Sequence, residues 1–416
     1  MSSTPDQEFI HDFAIMSTFG ATDGGGVDRQ AATAPDGAQR AWLADWLTTR
    51  GFRIEFDSVG NQFGLYEFIP GAPYVLTGSH MDSQPLGGRY DGAYGVLASA
   101  HAAARVVEGL HRSATVPKFN IGVVNWFNEE GSRFKPSMMG SSVFTGKLPA
   151  AAALATPDAR GVTVREALET IGTIGSYPGP QPAAYAEIHI EQGRTLENEG
   201  ITIGLVESTW AAEKFEFIVH GDQSHTGSTI MADRKDALLG AALLTVFARE
   251  LSERFSSRYP SAPLHTSVSE MTIEPNSPVV VAREVRLHLD MRSPDQSVAI
   301  AASDELLAQI PLFEKRANVA IKQVAAHSWG NKDYQRQGVK LAMEACEELG
   351  LTHREVMTVA GHDSVNMKDI VPTVMLFVPS VEGISHNERE FTRDEDACAG
   401  VDLLARVITK LSLGDL

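Results

Sequence analysis

Three residues that can bind a metal ion follow one short apolar run. His80, Asp82 and Asp91 come directly after residues 74–77, in a glycine-rich segment that ends at Gly92. The run predicts a buried strand, so we expect these side chains in the loop beyond its carboxyl end, where ligands bind in open α/β sheets. One imidazole and two carboxylates suit a divalent metal ion, while a polar loop with ordinary hydrogen bonds is the alternative for this segment alone.

Two further strand candidates are associated with acids and a histidine. Residues 120–127 predict a buried strand that runs into Glu129 and Glu130. Adjacent residues on an extended chain point to opposite sides, so we expect these two acids to have different roles. Residues 184–190 predict another strand, in which alternation would place His189 on one face with two glutamates. An exposed polar face would also explain that histidine.

The elements around these segments indicate an α/β fold with two domains. Residues 95–107 are rich in alanine and leucine and predict a helix, so the first segment lies between a strand and a helix. Residues 1–212 and 329–416 are expected to form one domain with a mostly parallel sheet flanked by helices. Within residues 213–328 the predicted strands alternate between apolar and polar residues, which favours an inserted α+β domain with one solvated sheet face.

Composition limits the classes of protein to which the chain can belong. With 416 residues it exceeds the usual size of a single core, and 43% hydrophobic residues provide ample core material. The net charge of −18 argues against nucleic acid or an anionic membrane as a partner. Cys346 and Cys398 lack the spacing of a disulfide framework or a zinc site, and no apolar stretch approaches membrane-spanning length. These features predict a cytoplasmic protein.

Four separated motifs, in their order along the chain, resemble one family of metallohydrolases. This is the bacterial amidase, hydantoinase and carbamoylase family, which includes N-carbamoyl-L-amino acid hydrolases, β-ureidopropionases and allantoate amidohydrolases. It lies within the aminoacylase-like superfamily of dinuclear metallohydrolases. The resemblance covers nearly the whole chain. The motifs are GSHxDSxxxGGxYDG at residues 78–92, NEEGSRF at 128–134, EIHIEQG at 187–193 and ISHNE at 384–388.

The resemblance implies two divalent metal ions in each subunit. His80 and His189 would bind one ion, Asp91 would bridge both ions, and Glu130 and His386 would bind the other. Imidazole and carboxylate ligands suit zinc, manganese, cobalt and nickel alike.

The same resemblance implies roles in catalysis. A metal-bridging water would be the nucleophile, and Glu129 would act as its general acid/base. Asp82 would orient His80 through the second nitrogen of the imidazole ring. Residues 213–328 would serve as a lid and dimerisation domain. From that domain His225 would reach the active site of the neighbouring subunit, so the enzyme would be a homodimer.

Three further residues are expected to bind the substrate together with His225. Arg292 would bind a substrate carboxylate, because its planar fork can donate two hydrogen bonds to one carboxylate. Gln192 lies three residues after a predicted metal ligand and would contact the substrate. Asn276 matches another substrate-binding position, although an asparagine beside proline is nearly as well explained by a turn.

The sequence departs from the family pattern near the expected pocket. The family usually has an apolar residue and a glycine where residues 207–212 read ESTWAA, and a proline where Ile230 stands. Residues 361–364 read GHDS where the family has GHDA. The predicted metal ligands are unaffected, so the chemistry is better determined than the substrate.

Together these features predict a metal-dependent hydrolase of carbon–nitrogen bonds other than peptide bonds, in linear amides or amidines. The leading substrate is an N-carbamoyl-L-amino acid. The alternatives are β-ureidopropionase or allantoate amidohydrolase activity, followed by aminoacylase or dipeptidase activity with the same machinery. A binding protein without catalysis would be expected to lack a ligand or Glu129, and this chain retains all of them.

Overall fold

The structure is a computed structural model that describes residues 4–416. Within these residues the chain forms 14 β-strands and 12 α-helices. The strands are β1 (Arg53–Phe56), β2 (Gln62–Tyr66), β3 (Tyr74–His80), β4 (Asn120–Trp126), β5 (Pro182–Ile190), β6 (Ile203–Thr209), β7 (Ala211–His220), β8 (Ser224–His225), β9 (His265–Glu274), β10 (Val280–Val281), β11 (Glu284–Ser293), β12 (Ala320–Trp329), β13 (His353–Thr358) and β14 (Thr373–Val378). The helices are α1 (Pro5–Met16), α2 (Ala34–Thr48), α3 (Ala93–Arg112), α4 (Met139–Phe144), α5 (Ala150–Ala155), α6 (Val164–Ile171), α7 (Thr195–Glu199), α8 (Ala237–Arg258), α9 (Gln296–Ala317), α10 (Arg336–Leu349), α11 (Asp363–Met367) and α12 (Asp394–Leu413).

The chain divides into two compact units. The first comprises the chain up to Glu207 together with Tyr334–Val356 and Gly361–Leu416. The second comprises Ser208–Asp333 and Met357–Ala360. The predicted insertion, residues 213–328, lies within the second unit. Its role as a lid and dimerisation domain stays a prediction.

The first unit is built on an eight-stranded sheet in the order β1-β2-β4-β3-β5-β14-β6-β13. The central pairs β4–β3, β3–β5 and β5–β14 are parallel, whereas β1–β2, β2–β4 and β14–β6 are antiparallel. Helices α3 and α12 pack against each other and against β3 and β5. The predicted fold class, a mainly parallel sheet flanked by helices with a separate smaller domain, is therefore confirmed.

Strand β3 lies at the centre of this sheet, and every one of its seven residues is buried. Burial on both faces explains why its first half is apolar without alternation and why the rest of the strand lacks a permanently charged residue. The strand extends to His80, so this histidine is the last residue of β3 and not part of the following loop as predicted. Gly78 permits the close pairing with β4, because a Cβ atom there would lie 1.8 Å from the carbonyl oxygen of Val124.

The second unit contains a four-stranded antiparallel sheet in the order β12-β7-β11-β9. Helices α8 and α9 pack against each other and against this sheet, and their apolar residues form a separate core with those of β7 and β11. The short strands β8 and β10 form an additional two-stranded pair.

Among residues 4–416, every helix is too short or too polar to cross a membrane.

Candidate active site

Neighbouring strands of the first unit end at one edge of the sheet and bring the predicted ligands together. His80 ends β3, Glu130 follows β4, and His189 lies next to the last residue of β5. Asp91 lies in the loop that leads from β3 to α3, and His386 lies in the loop after β14. Their ligand atoms form two groups, each within 4.8 Å: one of His80, Asp91 and His189, the other of Asp91, Glu130 and His386.

The carboxylate of Asp91 belongs to both groups, and its two oxygens face different partners. Its Oδ1 lies 3.5 Å from Nε2 of His80 and 3.2 Å from Nε2 of His189. Its Oδ2 lies 3.2 Å from Nε2 of His386, which is in turn 3.3 Å from Oε2 of Glu130. A carboxylate in this position can bridge two metal ions, one in each group.

The two histidines of the first group present Nε2 to the site because Nδ1 is occupied. Nδ1 of His80 donates to the main-chain oxygen of Asp82 at 3.0 Å, and Nδ1 of His189 donates to that of Ile190 at 2.9 Å. A carbonyl oxygen only accepts, so each Nδ1 carries a proton. Such a bond fixes the ring orientation and leaves the lone pair of Nε2 toward the site. In His189 this nitrogen accepts from the N–H of Gly92 at 2.9 Å, and a metal ion would replace that hydrogen bond.

The site is electrostatically suited to cations. Burial and, next to it, the charge of Asp91 raise the pKa of the Glu130 carboxyl to about 7. Burial opposes protonation of His386, but its hydrogen bond to Asp91 and the charge of Glu130 raise the pKa of the ring to about 9. A divalent ion would offset the free-energy cost of burying the charged carboxylates, and it would compete with protons for the imidazole. The residues present therefore fit two divalent metal ions.

Glu129 lies beside the first group without belonging to either one. Its Oε2 is 3.5 Å from Nε2 of His80, and 8% of the residue is exposed. Burial raises the pKa of its carboxyl well above the usual value. A carboxyl group with a raised pKa can hold and release a proton near neutral pH, which is the property required of a general acid/base.

Asp82 fixes the backbone of both glutamates. Its Oδ1 accepts from the N–H of Glu129 at 3.2 Å, and its Oδ2 accepts from the N–H of Glu130 at 3.3 Å. The carboxylate lies 3.6 Å from Nδ1 of His80, farther than its own main-chain oxygen at 3.0 Å. The hydrogen bond that orients His80 therefore comes from the backbone of Asp82, while the side chain positions the glutamates.

Gln192 and two residues that sequence reasoning missed hold Asp91 in place. Gln192 Nε2 donates to Asp91 Oδ2 at 2.7 Å, and Ser385 Oγ lies 2.9 Å from the same oxygen. Glu390 accepts from the backbone N–H groups of Tyr90 and Asp91 at 2.8 and 2.9 Å. Ser385 lies inside the ISHNE motif, but neither its residue type nor its spacing indicated this contact.

A buried cation, also missed, fixes the peptide between His80 and Asp82. The carbonyl oxygen of Met81 accepts from Nε of Arg29 at 3.2 Å and from Nε2 of Gln39 at 2.7 Å. Arg29 is 1% exposed, and burial lowers its pKa to about 10, so it stays charged at neutral pH. An arginine in a polar stretch ordinarily indicates a surface position, so this contact could not be predicted from residue types.

The other predicted site residues lie in the second unit. His225 is exposed, and its Nδ1 accepts from the N–H groups of Gly227 and Ser228 at 3.0 and 3.1 Å. Because Nδ1 accepts, the ring proton is on Nε2, which is left as a donor. Arg292 lies in β11, and Asn276 is exposed in the segment between β9 and β10.

Imidazoles that converge on one shared carboxylate at the carboxyl edge of a mostly parallel sheet define the site of a metal-dependent hydrolase. The chain belongs to peptidase family M20/M25/M40, whose family model matches residues 76–410. Alignments with individual relatives cover more of the chain than residues 76–410. A Mycolicibacterium smegmatis protein with the general name hydrolase is 56% identical, and the alignment covers 99% of this chain and 94% of that protein.

Two further comparisons show which members of the family this chain is similar to. An N-carbamoyl-L-amino-acid amidohydrolase of Rhizobium meliloti is 33% identical over 94% of this chain and 93% of that protein. The crystal structure of an amidase of the hydantoinase/carbamoylase family from Burkholderia vietnamiensis superposes with a TM-score of 0.91 at 32% identity, with all of both chains covered. The predicted resemblance is thus confirmed, as is the prediction of a hydrolase acting on carbon–nitrogen bonds other than peptide bonds.

The close contact between Gly92 and His80 gives a test of the metal site. Gly92 has a φ of 62°, and a Cβ atom there would lie 2.3 Å from the imidazole of His80. Gly92→Ala should therefore displace the ring and weaken binding of zinc or manganese by about 10- to 100-fold in titration calorimetry.

Gly200→Ala is a matched control. Gly200 has a φ of 64°, and a Cβ atom there would meet nothing within 4 Å. Gly200→Ala should lose about 1–2 kcal/mol of unfolding free energy from the left-handed backbone. Gly92→Ala should lose at least as much, because its φ of 62° and ψ of −49° are even less favourable for a residue with a Cβ atom. Only Gly92→Ala should lose metal affinity, and equal affinity in the two variants would contradict the assignment of His80.

Proposed function

We propose that this protein hydrolyses the linear carbon–nitrogen bond of an N-carbamoyl-L-amino acid or a related ureido acid. The observation that carries the proposal is the carboxylate of Asp91 shared by two groups of donors, with Glu129 beside them and outside both groups. The similarity to the Rhizobium meliloti enzyme, whose name specifies N-carbamoyl-L-amino acids, supports this substrate class.

Two divalent ions bound by these donors would lower the pKa of a water molecule and stabilise negative charge that develops on the substrate oxygen. His80 and His189 would hold one ion, Glu130 and His386 the other, and Asp91 both. Zinc, manganese, cobalt and nickel all suit this set of imidazole and carboxylate donors.

Glu129 would transfer the proton in both halves of the reaction. It would accept a proton from the attacking water and deliver it to the departing nitrogen, as a general acid/base does. Its raised pKa supports this role, because burial favours the protonated form that would deliver the proton to the departing nitrogen. Asp82 would keep Glu129 in position through the backbone hydrogen bond.

Residues of the second unit would bind the substrate. His225 would donate its Nε2–H to the developing oxyanion in the active site of the partner subunit, so we propose a homodimer as the active form. Arg292 would bind the substrate carboxylate. Asn276 would contact polar atoms of the substrate, as would Gln192 from the first unit. Because Cys346 and Cys398 are both free and buried, we also propose a reducing, cytoplasmic location.

Two other substrate classes are compatible with this machinery. Allantoate and ureidopropionate carry the same ureido group with a different acid arm, so they are the first alternatives. N-acetyl amino acids replace the terminal NH2 of the ureido group by a methyl group of similar size, and dipeptides would require the pocket to accept a larger acyl group. The products distinguish these classes, because only a ureido substrate releases ammonia.

The substrate class is tested by measuring product release from metal-reconstituted protein. The panel consists of N-carbamoyl-L-amino acids, ureidopropionate, allantoate, N-acetyl amino acids and a dipeptide. We expect ammonia from at least one ureido acid and the fastest turnover for an N-carbamoyl-L-amino acid. Free amine from only the acetylated or peptide substrates, without ammonia, would contradict the proposal.

The role of Glu129 is tested with Glu129→Gln. The variant should bind both metal ions as the wild type does, because Glu129 belongs to neither donor group. Turnover should fall by about 10²- to 10⁴-fold, since the amide cannot accept the proton. Glu199→Gln, at a glutamate that pairs with Arg354, is the control and should retain full activity. Near-normal activity of Glu129→Gln would exclude it as the general base.

The shared active site is tested by mixing two inactive variants. If His225 acts in the partner subunit, a dimer of one Glu129→Gln chain and one His225→Ala chain contains one intact site and one doubly defective site. Random mixing should then restore about a quarter of the wild-type rate. Failure to recover activity in verified heterodimers would show that His225 does not act across the interface.

A further inference from the structure

The guanidinium of Arg292 has two N–H groups beyond those used by its neighbours. Nε and Nη2 donate to the two carboxylate oxygens of Asp290, each at 2.8 Å, and Nη1 donates to the main-chain oxygen of Val359 at 2.7 Å. A guanidinium carries five N–H donors, so one remains on each terminal nitrogen. The side chain is 26% exposed, and these two N–H groups are the donors left for a carboxylate ligand.

Two aromatic rings lie beside this guanidinium. His265 is the cross-strand partner of Arg292 in the β9–β11 pair. The ring of Trp210 packs against His265, with 4.9 Å between the ring centroids and 50° between the planes. The backbone N–H of Trp210 donates to the main-chain oxygen of Thr358. The next residue, Val359, is the one that accepts from Arg292. The two rings and the guanidinium are thus held in one cluster, and we call Trp210 and His265 the aromatic wall.

The aromatic wall presents no charge to a ligand. Burial and then the charge of Arg292 lower the pKa of His265, so its ring is neutral at pH 7, and indole is uncharged. The nearby carboxylate of Asp290 is held by Arg292 and by Lys214 at 3.1 Å. A ligand whose carboxylate binds Arg292 therefore meets aromatic surface next to that carboxylate.

We propose that the aromatic wall selects ureido acids with a large apolar or aromatic side chain over those with a short or polar one. This inference rests on the proposed function, in which Arg292 binds the substrate carboxylate. In the substrate, the amino-acid side chain is attached to the carbon next to the carboxylate. When that carboxylate binds Arg292, the side chain of the substrate would therefore be close to the aromatic wall. Aromatic side chains gain the most from such a surface, because ring–ring contacts add to the burial of apolar area.

The test compares N-carbamoyl-L-phenylalanine with N-carbamoylglycine on the metal-reconstituted enzyme. The wild type should prefer the phenylalanine compound in kcat/KM by about tenfold or more. Trp210→Ala should remove most of this preference by raising KM for the phenylalanine compound, and Trp210→Phe should restore part of it. Trp42→Ala is the matched control, because Trp42 is a half-buried tryptophan of α2 that packs near Phe19 and should leave the preference unchanged.

Each possible failure has its own signature. No ammonia from either compound or from any other ureido acid would overturn the proposed function and, with it, this inference. Ammonia with equal kcat/KM values, or with a preference for N-carbamoylglycine, would overturn the aromatic wall alone. A Trp210→Ala variant that loses activity equally on both compounds would do the same. An Arg292→Lys variant with unchanged KM for both would show that Arg292 is not the anchor and would overturn the inference at that step.

Discussion

The buried carboxylate of Asp91 is the group on which the rest of the site depends. Burial opposes its ionisation, but the charge of His189 and its hydrogen bond lower the pKa of this carboxyl well below the usual value. The charge is therefore kept where water is largely excluded. Its two oxygens divide the surrounding donors into two groups, so any displacement of Asp91 would disturb both groups at once.

Keeping one carboxylate in position requires contacts from distant parts of the chain. Gln192 and Ser385 hold its side chain, while Glu390 holds its backbone N–H from almost 300 positions away in the sequence. Glycines make the approach possible: a Cβ atom at Gly95 would lie 2.3 Å from the carbonyl oxygen of Ile188, so α3 could not lie so close to β5. The ligand geometry is thus a consequence of backbone packing as much as of the ligands themselves.

Sequence reasoning succeeded where a motif coincided with the end of a buried strand. The runs before His80 and Glu129 are mainly apolar and do not alternate with charged residues, which is typical of central parallel strands, and the structure contains β3 and β4 there. It failed where a charged residue is buried. Arg29 and Glu390 look like surface residues in the sequence, because no periodicity distinguishes a charge enclosed by the fold from one in solvent.

The contact between Asp82 and His80 illustrates a second limit. Residue types indicated a carboxylate that orients an imidazole, yet the shorter contact comes from the main-chain oxygen, and the carboxylate accepts from two backbone N–H groups. Every residue has a carbonyl oxygen, so a sequence motif cannot reveal such a bond. Side-chain roles at a site can be predicted from residue types only when the backbone does not supply the same chemistry.

The central claim, that Asp91 is shared by two metal ions, is tested most directly by anomalous diffraction from crystals of the enzyme loaded with manganese or zinc. We expect two anomalous peaks in each chain. One should lie between His80, His189 and Oδ1 of Asp91, and the other between Glu130, His386 and Oδ2 of Asp91. A single peak at full occupancy, or peaks away from Asp91, would contradict the account.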